Sequence, residues 1–310
     1  MNEALRERLE NITGPGNVRL NEDMGSHTTF RVGGCADVFV TPGTLKEATE
    51  IVRLLLTEDE PFTVIGNGSN LIVTDAGYRG CVVCLGQGCD NIEVSGNTIT
   101  VGAGAMLAKI AKTAYDNSLT GLEFASGIPG SVGGAIVMNA GAYGGEIKDV
   151  VKSVTLFDAA TGETVNLSTD EMKFGYRRSI VKDHPYVVLE AEFELTNGDR
   201  EKIKETMDDL AARRRDKQPL EYPSAGSTFK RPEGYFAAKL IEDAGLKGES
   251  VGGAKVSEKH SGFVINTGGA SATDVLRLIN LIRKKVYEKS GVKLETEVVI
   301  LGDLPEEVVL

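Results

Sequence analysis

Four groups of residues in this chain combine reactive side chains with permissive backbone. The first is Gly66-Asn67-Gly68-Ser69-Asn70-Leu71, set between the apolar pairs Val64-Ile65 and Ile72-Val73. Glycine tolerates positive φ and carries no side chain, so such a loop can turn several backbone N–H groups toward one anion, such as a pyrophosphate. The Rossmann version of this device needs a third glycine and a helix that opens at the glycines. Here Leu71 holds that third position and the chain continues as β-forming sequence. A phosphate cradle between two strands, on a different scaffold, is expected. The other groups are Phe174-Gly175-Tyr176-Arg177-Arg178-Ser179, Tyr222-Pro223-Ser224-Ala225-Gly226-Ser227-Thr228-Phe229-Lys230 and Leu294-Glu295-Thr296-Glu297-Val298. Taken singly, each reads as an ordinary turn or strand end.

A second glycine-rich stretch runs through Gly127-Ile128-Pro129-Gly130-Ser131-Val132-Gly133-Gly134 and on to Asn139-Ala140-Gly141. It reads either as a glycine-rich helix packed closely on a sheet or as a second wall of backbone against a flat cofactor. Glycine this dense weakens a helix, so the backbone wall is expected. Other chemistries lack their parts. Gly248-Glu249-Ser250-Val251-Gly252 spells a nucleophile elbow, but that elbow needs a strand before it and a helix after it. The sequence around it predicts the reverse. Only three histidines are present (His27, His184, His260), and no Walker A loop or His-Glu-x-x-His occurs. Cys81-x-x-Cys84 has no second pair, and residues three apart in a strand point to opposite faces. Buried thiols are expected there, and no metal site.

The elements that must position these groups follow from periodicity. Thr44-x-x-Glu47 reads as a capping box before Leu45, Ala48, Ile51, Val52 and Leu55 at helical spacing. A short helix and a loop are predicted over 1–30. Strands are predicted over 81–85, 92–94 and 98–101, and a helix over 105–117. Alternation over 150–196 predicts antiparallel strands. A charged helix is predicted over 199–217, ended by Pro219. The last helix is predicted over 274–289, capped by Ser271-x-x-Asp274 and ended by Gly291. A final strand follows over 297–301.

The chain has 310 residues, 41% hydrophobic and 25% charged, as in ordinary soluble domains. A net charge of −11 disfavours nucleic acid as a partner. No apolar run reaches the length of a membrane span, and Met1-Asn2-Glu3-Ala4-Leu5-Arg6 lacks a signal-peptide core. A cytoplasmic protein with no membrane partner is expected.

Taken together, the motifs match a family. The chain resembles the UDP-N-acetylenolpyruvoylglucosamine reductases from His27-Thr28-Thr29-Phe30-Arg31-Val32-Gly33-Gly34 to Glu297-Val298. The likeness includes the cradle, the segment 121–146, Tyr176-Arg177-Arg178-Ser179, Ala225-Gly226-Ser227 and Ala254-Lys255-Val256-Ser257-Glu258-Lys259-His260-Ser261. It implies an α+β fold: an FAD-binding domain of the vanillyl-alcohol-oxidase (PCMH) type in two α/β subdomains, plus a smaller α/β substrate-binding domain. The expected division is 1–198 for FAD, 199–296 for substrate, and 297–310 returning to the FAD-binding part.

The resemblance also implies non-covalent FAD, NADPH as hydride donor, a UDP-sugar substrate and a monomer. The implied reaction reduces an enolpyruvyl ether to UDP-N-acetylmuramate for peptidoglycan. Arg177 is implied to stabilise the enolate-like intermediate and Ser227 to protonate the α-carbon. Glu297 is implied to assist, with Glu295 as its rival. Implied cofactor contacts are Arg31, Gly66, Asn67, Gly68, Ser69, Asn70, Leu71, Gly127, Ile128, Pro129, Gly130, Ser131, Gly133, Gly134, Asn139 and Gly141. Implied substrate contacts are Tyr176, Lys217 and Lys230.

Two departures stand out. Only about ten residues (178–187) separate the Tyr-Arg motif from the next strand, so the chain resembles the short-loop subclass, which has no tyrosine loop over the substrate diphosphate. Lys217 and one of Arg213, Arg214 and Arg215 are candidates to replace it. Arg231 stands where some members have asparagine. The competing readings are another FAD-dependent oxidoreductase of the same fold, acting on an alcohol or hydroxy acid, and a flavin-free nucleotide-binding protein.

Overall fold

A computed structural model describes residues 3–305 and Val308. The chain divides into two compact units. One comprises Met1–Leu20, Val38–Asn67 and Gly80–Arg214; the other comprises Asn21–Asp37, Gly68–Arg79 and Arg215–Leu310.

The first unit contains helices α1 (Glu3–Thr13), α2 (Leu45–Thr57), α3 (Leu107–Asp116) and α4 (Val132–Met138), and most of α5 (Arg200–Lys217). In α2 the Thr44 hydroxyl accepts the Glu47 N–H as the motif predicts. The Glu47 carboxylate reaches one residue further back, to Gly43 N at 2.8 Å. Ala48, Ile51, Val52 and Leu55 are buried, so the helical spacing reads correctly.

A four-stranded sheet runs in the order Val18–Asp23, Cys35–Val40, Tyr78–Cys84, Phe62–Ile65. Its last two strands are parallel, with Ile65 opposite Cys84 just before the cradle. The strand Val18–Asp23 replaces part of the loop expected over 1–30. It is an outer strand with one buried residue, Val18, so it lacks the alternation that would announce it.

A five-stranded antiparallel sheet runs Glu163–Ser168, Val151–Asp158, Tyr186–Glu194, Thr98–Gly102, Ile92–Ser95. Its strands between Val151 and Glu194 are the antiparallel strands that alternation predicts over 150–196. Its buried residues Val154, Leu156, Phe157 and Phe193 belong to one core cluster with Ile110, Val132 and Ile136 of α3 and α4. The glycine-rich stretch divides between its two readings. Residues 126–131 are not helical, whereas Gly133 and Gly134 lie in the first turn of α4. A Cβ on Gly133 would sit 3.0 Å from Ala103 Cβ, so close packing accounts for that glycine.

The second unit contains α6 (Ala237–Asp243) and α7 (Ala272–Ser290). Ser271 and Asp274 form the predicted capping box of α7, and Gly291 closes it at φ 70°. Leu276, Ile279, Ile282 and Val286 are its buried stripe. Asp75 adds a second cap, accepting from Ala272 N and Thr273 N at 2.8 Å each. The last strand, Val299–Leu301, pairs in parallel with Leu71–Val73, so the exit strand of the cradle is fixed by the chain's end. The would-be nucleophile elbow follows α6, holds the strand Ser250–Val251 and leads into the strand Ala254–Val256, the order that excludes it. Among the described residues, no helix is long and apolar enough to cross a membrane.

Candidate active site

In the first unit, the cradle's first half meets the glycine-rich stretch. A Cβ on Gly66 would fall 1.9 Å from Ser131 Oγ, so only glycine fits. Asn67 Nδ2 donates to the Pro129 carbonyl at 2.6 Å. Ser131 caps α4 with its hydroxyl toward Gly134 N. Gly130 O accepts from Leu107 N, and Gly133 N donates to Ala103 O. Gly66, Asn67, Pro129 and Ser131 are thus brought together, while the Gly133 N–H is already bound. Gly141 sits in a small hairpin, opposite Glu146.

Arg214 completes this half. A Cβ on Gly127 would lie 2.5 Å from Arg214 Nη1. Arg214 Nε and Nη1 are buried, and among the described residues neither has a hydrogen-bond partner. A guanidinium with two idle, water-excluded donors is primed for an anion. The triple arginine flags this region in sequence, but only the rotation of α5 singles out Arg214. Arg213 is tied to Asp209 at 2.8 Å on the exposed face, and Lys217 is exposed.

Tyr176 and Arg177 sit at the tip of a tight turn. Gly175 N donates to Arg178 O at 2.9 Å, and Arg178 N donates to Gly175 O at 3.3 Å. Arg177 has φ 55°, and its guanidinium carbon lies 5.1 Å from the centre of the Tyr176 ring. Positive φ on a non-glycine residue costs free energy and recurs where a side chain is held for function. Nearby, the Glu146 carboxyl is held below its usual range. The Lys148 hydrogen bond is the main cause, opposed by some desolvation, with further help from Asn139 and the Arg177 charge.

In the second unit, Gly68 has φ 59°, and a Cβ there would fall 2.1 Å from His27 O. Asn70 Nδ2 donates to Glu297 O at 3.2 Å, and Val299 N donates to Asn70 O at 2.9 Å. The cradle's second half is therefore tied to the segment that carries Glu297. Arg31, at φ 56°, lines an open polar cavity of about 590 Å³ with Asp23, Thr28 and Asp75.

Ser227 is positioned by its neighbour. Thr228 is buried; its N–H donates to Gly262 O, its hydroxyl accepts from Val264 N, and its carbonyl accepts from Glu297 N at 2.9 Å. Phe229 then bridges Thr296. Ser227 and Glu297, far apart in sequence, are thus carried on adjoining backbone. His260 supports the same loop: its Nδ1 accepts from Gly262 N at 3.1 Å, and burial pushes its pKa below the usual 6.5. Lys230 pairs with Glu295 at 3.0 Å. The thiols of Cys81, Cys84 and Cys89 are pushed up by burial to about 12, 11 and 12, as inert core groups are.

Comparison with known proteins identifies the class first. Residues 36–168 match the family model described as FAD binding domain. The expected α+β flavoprotein fold is therefore present. Residues 218–301 match the model described as the C-terminal domain of UDP-N-acetylenolpyruvoylglucosamine reductase. The reductase of Caldanaerobacter subterraneus subsp. tengcongensis is 54% identical over 303 residues, 98% of this chain and 100% of that protein. That of Clostridium novyi is 51% identical over 97% of this chain and 98% of that protein. The crystal structure of the reductase from Thermus caldophilus superposes with a TM-score of 0.79 at 35% identity, over 92% of this chain and 100% of that one. The chain belongs to the UDP-N-acetylenolpyruvoylglucosamine reductase family.

Proposed function

We propose that this protein reduces the enolpyruvyl group of UDP-N-acetylenolpyruvoylglucosamine to the lactyl ether of UDP-N-acetylmuramate, a step of peptidoglycan synthesis, with non-covalent FAD and NADPH. The observation that carries this reading is the Thr228–Glu297 bond at 2.9 Å, which holds a serine and a glutamate on adjoining backbone. Nearly full-length identity to the reductases supports it. The residues present fit FAD. Gly127 lets the Arg214 guanidinium pack against the glycine-rich stretch, and the idle Arg214 donors suit a diphosphate. Gly66, Asn67, Gly68, Ser69, Asn70 and Leu71 supply the cradle.

Bound FAD would supply the hydride chemistry that links NADPH to the enolpyruvyl β-carbon. The chain's own residues handle the charge and the proton. Arg177 stabilises the negative charge that builds on the carboxylate side of the substrate, as a guanidinium held in place can. Ser227 gives its hydroxyl proton to the α-carbon, and Glu297 assists Arg177. Tyr176 and Lys230 contact the substrate. Lys217 is a further contact at the UDP end. The protein acts as a cytoplasmic monomer, where UDP-linked sugars and NADPH are held.

The test uses the purified holoprotein. Under anaerobic conditions NADPH should bleach the flavin, and the enolpyruvyl substrate should restore its absorbance. Bleaching without reoxidation by that substrate would reject the assignment. A yellow pellet after acid precipitation would reject non-covalent binding.

A further inference from the structure

Arg177 needs a support that the turn alone does not supply. It is an arginine in the left-handed region, at the tip of a two-residue turn, and such a conformation persists only where its surroundings enforce it. Both ends of the turn run to the same place, the C-terminal end of α4. On one side Ser179, fully buried, donates its hydroxyl to Val137 O at 3.0 Å. On the other side Asn139 Nδ2 donates to Gly175 O at 3.1 Å.

Asn139 has the groups this task requires. It is fully buried and closes α4 at φ 42°, ψ 58°, a conformation asparagine tolerates better than most residues. Its second Nδ2 hydrogen goes to Glu146 Oε2 at 3.0 Å, and its Oδ1 accepts from Lys148 N at 3.0 Å. Every donor of the amide is engaged within the chain, so the side chain supports this turn and does not make the cofactor contact that the resemblance implies for it. The side chain therefore joins three segments: the end of α4, the Arg177 turn, and the Glu146–Lys148 loop. Aspartate has no donor for Gly175 O and would place a second carboxylate against Glu146. Alanine would keep the strain and lose all three bonds.

We propose that the end of α4 clamps the Arg177 turn, with Asn139 as the positioning residue for the Arg177 guanidinium and Ser179 as its second hold. The side chain of Asn139 then acts through Arg177. The proposal rests on the role given to Arg177 above.

Stopped-flow traces of both half-reactions in the holoprotein test it, with melting temperatures recorded alongside. Asn139→Gly keeps the left-handed backbone and deletes the three bonds. Bleaching by NADPH should stay near the wild-type rate. Reoxidation by the enolpyruvyl substrate should slow about 10²-fold, the cost of a misplaced catalytic group. Combined with Arg177→Lys, the loss should be far from additive, because the clamp acts through the guanidinium. Ser179→Ala should show the same selective loss at smaller size, and it carries the test if Asn139→Gly fails to retain flavin. Wild-type reoxidation, equal slowing of both half-reactions, or full additivity overturns the clamp. Near-wild-type turnover by Arg177→Lys would remove the role of Arg177 itself, whereas a crippled Arg177→Lys beside intact Asn139→Gly and Ser179→Ala variants removes the clamp alone.

Discussion

Glu295 Oε2 lies 3.0 Å from Lys230 Nζ, and the Glu295 side chain is 74% exposed. Glu297, two residues on, is half-buried and donates its N–H to Thr228 O, the residue after Ser227. The two glutamates of Leu294-Glu295-Thr296-Glu297 thus stand in different surroundings. An exposed ion pair is worth little, about 0–1 kcal/mol. Glu295→Gln should leave turnover close to wild type. Glu297→Gln should slow flavin reoxidation by substrate about 10²-fold or more, the range for loss of a positioned charged group at the reacting centre. Steady-state and half-reaction rates of both variants check this. The reverse order would make Glu295 the catalytic group.

Gly66 offers a test of the cradle that leaves every catalytic side chain in place. A Cβ there would stand 1.9 Å from Ser131 Oγ and 2.8 Å from Ser131 Cβ, so the loop or the cap of α4 must move. Gly66→Ala should weaken FAD binding at least about tenfold, which needs only about 1.4 kcal/mol. Gly86 is the control, since a Cβ there meets nothing within 4 Å and its φ is not in the left-handed range. Flavin content after gel filtration and the flavin dissociation constant read the effect. Unchanged retention by Gly66→Ala would mean that the cofactor does not depend on this approach.

His260 gives the pH prediction. Burial lowers its pKa below 6.5, so the unfolded chain takes up the proton first as pH falls. Its contribution is present above about 6.5, the unfolded value, and is lost as pH drops toward the lowered folded value. His260→Asn can keep an acceptor near Gly262 N without titrating. The melting-temperature advantage of wild type over this variant should shrink between pH 7.5 and 5. An advantage that does not change with pH would show that His260 is not held neutral.

These tests also mark what the sequence makes legible. The α7 cap reads directly, because Ser271, Asp274 and Gly291 act on their own helix ends. The Tyr-Arg motif and Gly226-Ser227 are recognisable only through the family resemblance, since each alone reads as an ordinary turn. What supports them is not visible, because each support is a contact distant in sequence. The resemblance implies a cofactor contact for Asn139, yet its side chain bonds Gly175 O. Arg214 is one of three adjacent arginines, and only the packing of α5 turns it to Gly127. The strand Val18–Asp23 carries one buried residue, too little for a period to show.

Ser227→Ala should separate the two half-reactions. NADPH delivers hydride without needing a proton at the substrate α-carbon, so flavin bleaching should be nearly unchanged. Reoxidation by the enolpyruvyl substrate should fall by about 10²–10⁴-fold, the usual contribution of a positioned proton donor, or more. The fold gives a reason to expect this selectivity. The loop is held by Thr228, through Gly262 O, Val264 N and Glu297 N, and not by the Ser227 side chain. Removing the hydroxyl therefore leaves the Ser227–Glu297 framework standing, and the melting temperature should move little. Thr228→Val is the contrasting variant: it deletes the acceptor for Val264 N in a buried place and should cost about 1–3 kcal/mol of stability. Ser227→Cys restores a proton-bearing group and should recover part of the second half-reaction. Equal slowing of both half-reactions in Ser227→Ala, together with a lowered melting temperature, would reduce Ser227 to a shaping residue of the Gly226 turn.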